Sequence, residues 1–329
     1  MASRMPLSNV MTSPRAAYAV LVLAALFWGG NVVAVRLSVG SISPMMLASL
    51  RWVIVLAVLA PVAVPACVAT AERLRAHWRP ILWMGAFGLT VPNALIFVAA
   101  QTTSALNMAI FLGATPAFVF LGALLWHRAP SRPLPLLGMA GTLAGVAVAA
   151  VQGDVARLGS LDLHVGDIAV LMSCVAGAAY QLVLRDTPPL PPLVLFYAMA
   201  LVAFAVSLPM AAVEALLGQA VPPTPDGWAV VAYVGLCPTL LSSFFMMRGI
   251  QLIGPRRASL FINLTPVFAS LFAVALLDEP VEGFHITAVA LVLSGIILSE
   301  LAARLGPPGT VDGRIHPLAV RPAEPGSGT

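Results

Sequence analysis

The stretch TPVFASLFAVALLDEP, residues 265–280, and the stretch TPAFVFLGALLWHRAP, residues 115–130, lie 150 positions apart and agree in register at Thr, Pro, Phe, Leu, Ala and the closing Pro. Each opens on a Thr-Pro pair and continues as an apolar run. They differ at the far end. Asp278 and Glu279 make the later copy acidic, whereas His127 and Arg128 make the earlier one basic. A segment kept through duplication while its terminal charge reverses must end in two different places. Where those places are decides the fold.

Composition identifies the solvent. Of the 329 residues 60% are hydrophobic and 9% charged, with a mean hydropathy of +0.97, against about 25% charged residues in soluble domains. A surface with so few charges is covered by lipid. The formal charge of +4 comes from Arg alone, since the chain has no Lys, and the arginines fall in short clusters between apolar runs. That is the pattern of a membrane protein and not of a nucleic-acid-binding surface. Cys67, Cys174 and Cys237 lie in or beside apolar segments without paired or metal-like spacing, so they read as packing residues.

A spanning helix needs about 20 mainly apolar residues. Ten runs meet that length, near 17–39, 44–66, 80–101, 104–126, 133–151, 165–185, 191–213, 228–251, 257–277 and 283–302. The first is too long for a signal peptide and has a counterpart later in the chain. Arg4 and Arg15 precede it. Alternate connections then carry Arg73, Arg75 and Arg79; Arg128 and Arg132; Arg185; Arg256 and Arg257; and Arg304, Arg314 and Arg321. The remaining connections are neutral or acidic, with Asp154, Asp162 and Asp167, then Glu214 and Asp226, then Asp278, Glu279 and Glu282; Arg157 is the exception. The positive-inside rule places both termini in the cytoplasm.

The offset of 150 also relates Gly85 to Gly235, Gln101 to Gln251, Phe111 to Phe261 and Gly145 to Gly295, and an offset of 149 lays GGNVVAVR (29–36) over AAYQLVLR (178–185). Five spans per half is an odd number, so the second half threads the membrane in the opposite direction. The charge flips because the topology flips. The expected fold is an all-α integral membrane protein of ten transmembrane helices arranged as two inverted five-helix repeats. Its parts are a cytoplasmic arm (1–16), a first repeat (17–151), an external linker (152–164), a second repeat (165–302) and a Pro- and Gly-rich cytoplasmic tail expected to be disordered (303–329).

LFWGGNVVAVRL (26–37), ISPMMLASLRW (42–52), TTSALNMAIFLGATP (102–116), GDIAVLMSCVAGAAY (166–180) and GPRRASLFINLTPVFASLFAVALLDEP (254–280) resemble the EamA-type drug/metabolite transporters. The resemblance covers about residues 17–302 and is most specific in the last of these stretches. It implies a ten-helix carrier of small metabolites in the plasma membrane, often an exporter of amino acids or related compounds. An acid common in that family after the fourth helix is missing, with Arg128-Ala129 in its place.

A buried polar group in hydrocarbon costs several kcal/mol unless it is satisfied, so polar residues at mid-span are informative. They are Trp28 and Asn31 in the first span, Asn93 in the third, Thr115 in the fourth, Tyr180 and Gln181 in the sixth, Ser242 and Ser243 in the eighth, and Asn263 and Thr265 in the ninth. Each is a candidate for cargo contact or for bonding between packed helices. Asn31 and Asn263 carry the strongest expectation, because a carboxamide both donates and accepts and suits a zwitterion. Four prolines, Pro92, Pro116, Pro238 and Pro266, each remove a backbone donor at mid-span. They are candidates for kinked, gating walls around a central cavity. Arg51 lies about two turns into the second span; it is expected to pair with Asp278 or Glu279 or to bind a cargo carboxylate.

No nucleophile–base cluster, metal set, ATPase motif or cofactor motif marks an enzyme or pump, so no catalytic residue, metal or cofactor is assigned. The leading function is a secondary carrier of small polar metabolites working by alternating access, with protons as the candidate coupling ion and a monomer or homodimer as the unit. Its rivals are a non-transporting receptor or assembly subunit and an exporter of hydrophobic drug-like compounds. The topology is directly testable. A cysteine placed at Pro223 should react with an impermeant thiol reagent from outside, and one placed at Ala76 only from inside; labelling of both from one side would sink the inverted arrangement.

Overall fold

Lipid offers the backbone no hydrogen bonds, so a chain of this composition must satisfy its N–H and C=O groups within each segment, and helices do that. The computed structural model describes residues 14–127, 133–154, 165–183 and 188–305, and among these every regular element is helical. The first repeat supplies α1 (Pro14–Leu37), α2 (Pro44–Ala69), α3 (Trp78–Ala99), α4 (Ala105–Leu125) and α5 (Pro133–Ala150). The second supplies α6 (Val165–Val183), α7 (Pro192–Leu216), α8 (Pro225–Ile253), α9 (Leu260–Leu277) and α10 (Gly283–Leu305). Among the described residues nine helices are long and apolar enough to cross a membrane, and α10 carries a shorter apolar stretch, Gly283–Ser299. α10 also runs on to Leu305, past the expected end of the last span at 302. The start of the arm, Arg128, Arg185, most of the 152–164 linker and the tail beyond 305 lie outside the described residues.

The two repeats exchange partners. α1 packs on α8 and α9 of the second repeat, and α6 packs on α3 and α4 of the first. α2 lies against α7 and α5 against α10, so like meets like across the remaining boundaries. The pairing matches the internal repeat: each lead helix sits in the other half, and equivalent helices meet. The interior so enclosed is apolar: Phe97, Phe111, Met108 and Ile110 are fully buried beside Val32, Val35 and Val170.

Where α5 meets α10, small residues allow backbone-to-backbone approach. A Cβ on Gly295 would lie 2.4 Å from the Gly138 carbonyl oxygen and 2.3 Å from Thr142 Oγ1, and one on Gly138 would lie 2.6 Å from the Gly295 carbonyl. Association of helices in lipid depends on such close packing, because the hydrophobic effect gives no net drive there. Two carboxylates from the second repeat close helix ends of the first. Glu279 accepts from the Ala105 and Leu106 N–H groups, both at 2.8 Å, at the start of α4. Glu214 accepts from Met45 and Met46 at the start of α2, at 3.2 and 3.3 Å. Each neutralises orphan donors that a helix N-terminus leaves open.

Gly295→Val forces atoms into the α5–α10 seam, and overpacking of this kind costs about 1–3 kcal/mol. The variant should melt several degrees lower than the parent in detergent, measured by thermal unfolding. An unchanged melt would mean that the seam can part without loss.

Candidate functional site

A proline inside a helix removes one donor and crowds the carbonyl four residues back. In α3 and α8 the chain responds by widening into π turns, Met84–Thr90 and Gly235–Leu241, which coincide within one residue at the 150 offset. Hydroxyl groups take up freed carbonyls. Thr239 Oγ1 donates at 2.7 Å to Val234 O, the acceptor Pro238 cannot serve; Thr90 Oγ1 adds a donor at 3.1 Å to Gly85 O, three residues before the Gly88 carbonyl that Pro92 deprives. The proline carbonyls are bound across the repeat boundary. Trp28 Nε1 on α1 donates to Pro238 O at 2.9 Å, and Ser173 Oγ on α6 donates to Pro92 O at 2.8 Å. Each lead helix is thus fastened to the kinked helix of the other repeat.

Pro116 and Pro266 break their helices differently. α4 is interrupted at Gly113 and Ala114, and Pro116 deprives the Leu112 carbonyl, to which Thr115 Oγ1 donates at 2.8 Å. α9 enters through a 3-10 turn, Ser259–Leu264, in which the Thr265 backbone N–H donates to Ile262 O, the carbonyl that Pro266 deprives. That leaves Thr265 Oγ1 buried without a partner. Equivalent threonines therefore differ: one hydroxyl is occupied, the other spare.

Between the two breaks lies a cavity of about 460 Å³, lined by both Thr-Pro pairs, Trp28, Gln181 and Asn263. Its remaining wall is apolar, with Leu112, Val119, Leu260, Ile262 and Ile296, and no charged side chain among the described residues faces it. The volume falls within the roughly 300–1,000 Å³ of small-molecule sites. Gln181 stands in the last turn of α6 and Leu260 and Ile262 at the start of α9, so this side of the cavity lies toward the ends that carry the arginines. The carboxamides of Asn263 and Gln181 and the Thr265 hydroxyl have no protein hydrogen bond among the described residues, so three neutral polar groups are available to a ligand.

Of the residues expected from sequence, Trp28, Thr115, Gln181, Asn263, Thr265, Pro116 and Pro266 meet at this cavity. The others lie off it. Asn93 Nδ2 donates to Leu89 O at 2.8 Å. Ser242 Oγ donates to Ala24 O at 3.1 Å and Ser243 Oγ to Thr239 O at 2.6 Å, which is bonding within the bundle. Tyr180 lines a separate apolar pocket against Gly88, and Pro92 and Pro238 belong to the π-turn region. Asn31 Oδ1 is buried and unpartnered, one turn beyond Trp28 but outside the lining. Arg51 does not pair with Asp278 or Glu279. Its guanidinium lies over the Trp52 and Phe97 rings, 4.8 and 4.9 Å from their centroids, and donates to Leu89 O at 3.3 Å, while Glu279 is committed to the α4 cap.

The family model for EamA-like transporters matches residues 15–151 and 164–301. An uncharacterized transporter of Bacillus subtilis, YyaM, is 25% identical over 293 residues, covering 88% of this chain and 94% of that protein. An uncharacterized transporter of Archaeoglobus fulgidus is 22% identical over 294 residues, 85% of this chain and 95% of its own length. A solved crystal structure, 22% identical, superposes with a TM-score of 0.60 over 89% of this chain and 99% of its own, which establishes likeness of fold.

The threonine asymmetry has a thermodynamic consequence. Thr115→Val strips the donor from the Leu112 carbonyl, and an unsatisfied buried acceptor costs about 1–3 kcal/mol. Thr265→Val has no bond to lose and should leave stability nearly unchanged. Thermal unfolding of the two variants side by side checks this; equal losses would contradict it.

Proposed function

The chain belongs to the EamA-like transporter family, and we propose that this multi-pass membrane protein carries small zwitterionic metabolites, amino acids or their relatives, across the plasma membrane. The observation that carries this reading is a cavity between the repeats that, among the described residues, offers three unpartnered neutral polar groups and no charge. A carboxamide accepts from an ammonium and donates to a carboxylate without the desolvation cost of a permanent buried charge. Asn263 and Gln181 are those carboxamides, and the spare Thr265 hydroxyl adds a donor beside them.

Alternating access supplies the mechanism. The two repeats rock about the cavity, with the widened π turns of α3 and α8 and the Thr-Pro breaks of α4 and α9 as the deformable places. Gln181, Leu260 and Ile262 lie toward the ends the arginine pattern assigns to the cytoplasm, and the conformer is then the one that loads cargo from inside, as an exporter requires. No titratable group among the described residues lines the cavity, so any coupling to protons would act through groups elsewhere. The apolar wall supports a second reading, an exporter of hydrophobic drug-like compounds, in which Trp28, Leu112 and Ile296 bind cargo and the carboxamides are incidental.

Uptake and efflux of radiolabelled amino acids and of hydrophobic cations by proteoliposomes, with and without a pH gradient, separates the readings. For a zwitterion, Asn263→Ala removes a hydrogen bond to a charged group and should weaken binding about ten- to hundred-fold. Its melting temperature should not change, since Asn263 gives up no protein bond. If only hydrophobic compounds move, and Asn263→Ala moves them as well as the parent does, the second reading holds.

A further inference from the structure

A second cavity, of about 330 Å³, lies where α4, α6 and α10 begin. Arg36 from the last turn of α1, Asn107 of α4, Asp167 of α6, and Glu279, Glu282 and His285 around the start of α10 face it. It is distinct from the central cavity. On α4, Asn107 faces the second cavity and Leu112 the first, while Met108, Ala109, Ile110 and Phe111 between them are at most 1% exposed. The five helical steps from Asn107 to Leu112 put about 8 Å along α4 between the two linings.

Part of the lining is already engaged. Both Glu279 oxygens cap α4, Thr103 Oγ1 donates to Asp167 Oδ1 at 3.0 Å, and His285 Nδ1 accepts from the Glu282 N–H at 3.0 Å, so a neutral ring carries its proton on Nε2. Three groups remain open. Arg36 donates to the Ala100 carbonyl, and no carboxylate among the described residues pairs with it. Glu282 is exposed, and among the described residues its carboxylate takes no hydrogen bond, though its charge acts on the neighbouring His285. Asn107 is 8% exposed, and its Oδ1 is buried without a hydrogen bond. A buried acceptor left unmet costs about 1–3 kcal/mol, which a donor on a ligand would relieve.

An open cation, an open anion and an orphan acceptor in one cavity suit a molecule carrying both charges. A purely anionic ligand would meet Asp167, Glu279 and Glu282; a purely cationic one would meet Arg36. A bare metal ion needs about six to eight oxygens closed around it at roughly 2.3–2.6 Å, and this space is too large for that. We propose that the second cavity is a second subsite for the zwitterionic cargo, beyond that buried stretch of α4, taking the cargo carboxylate at Arg36 and its ammonium at Asn107 Oδ1 and Glu282. This rests on the zwitterion reading of the central cavity and extends it to a path with two stations.

The test uses the full-length protein in detergent, screened for thermal stabilisation by each of the proteinogenic L-amino acids, followed by equilibrium dialysis of a radiolabelled stabilising one. Two sites per chain are expected. Arg36→Gln and Glu282→Gln should each weaken one site about ten-fold or more, and Asn263→Ala the other. Glu282 is exposed, so its variant keeps the fold even where changes at Arg36 or Asn107 do not; a monodisperse elution profile verifies that. A single site that Asn263→Ala abolishes and Glu282→Gln leaves untouched overturns the second subsite while the central one stands. A single site that responds to Glu282→Gln and ignores Asn263→Ala keeps the second subsite and removes the central one. If no amino acid stabilises the protein, both are overturned.

Discussion

A backbone carbonyl stranded in hydrocarbon has no water to turn to, and four mid-span prolines strand carbonyls in this chain. Each repair shapes the molecule. The π turns of α3 and α8 change the helical period just ahead of Pro92 and around Pro238. Side chains then complete the set: Thr239 to Val234, Thr115 to Leu112, and across the repeat boundary Trp28 to Pro238 and Ser173 to Pro92. Repair of the proline sites is therefore also assembly of the two halves. The central cavity lies between two such sites because a broken helix cannot pack flush against its neighbours.

The same constraint acts at helix ends. Orphan N–H groups at the starts of α2 and α4 are met by Glu214 and Glu279, each reaching from the second repeat to the first. Glu279 belongs to the acidic tail that the first copy lacks. In the sequence its place in the earlier repeat is held by Ala129, next to Arg128.

The apolar runs, the alternation of arginines and the internal repeat were legible in the sequence because each depends on composition over many residues. Helical rotation was not legible. Asn31 and Asn263 look alike as mid-span carboxamides, yet only Asn263 turns toward the cavity. Ser242 and Ser243 likewise read as cargo contacts but find carbonyls within the bundle. Arg51 was expected to seek Glu279, whose carboxylate is taken by backbone N–H groups; the cation settles on the Trp52 and Phe97 rings. Charges stand out in a sequence, whereas backbone donors are everywhere and do not. The π turns were hidden for the same reason, since they depend on which donor meets which carbonyl. The cavity's apolar wall, with Val119, Leu260 and Ile296, carried no signal that sets it apart from core.

The difference between Thr115 and Thr265 bears on how an inverted repeat moves. The Leu112 carbonyl takes a hydroxyl, while the Ile262 carbonyl takes the backbone N–H of a tightened turn and frees the hydroxyl. Equivalent Thr-Pro pairs thus hold two local states at once. On the alternating-access reading proposed above, these two Thr-Pro sites are where the repeats would exchange states, and a ligand bound to the spare hydroxyl would favour whichever conformer presents it, the differential affinity that any coupling of binding to movement requires.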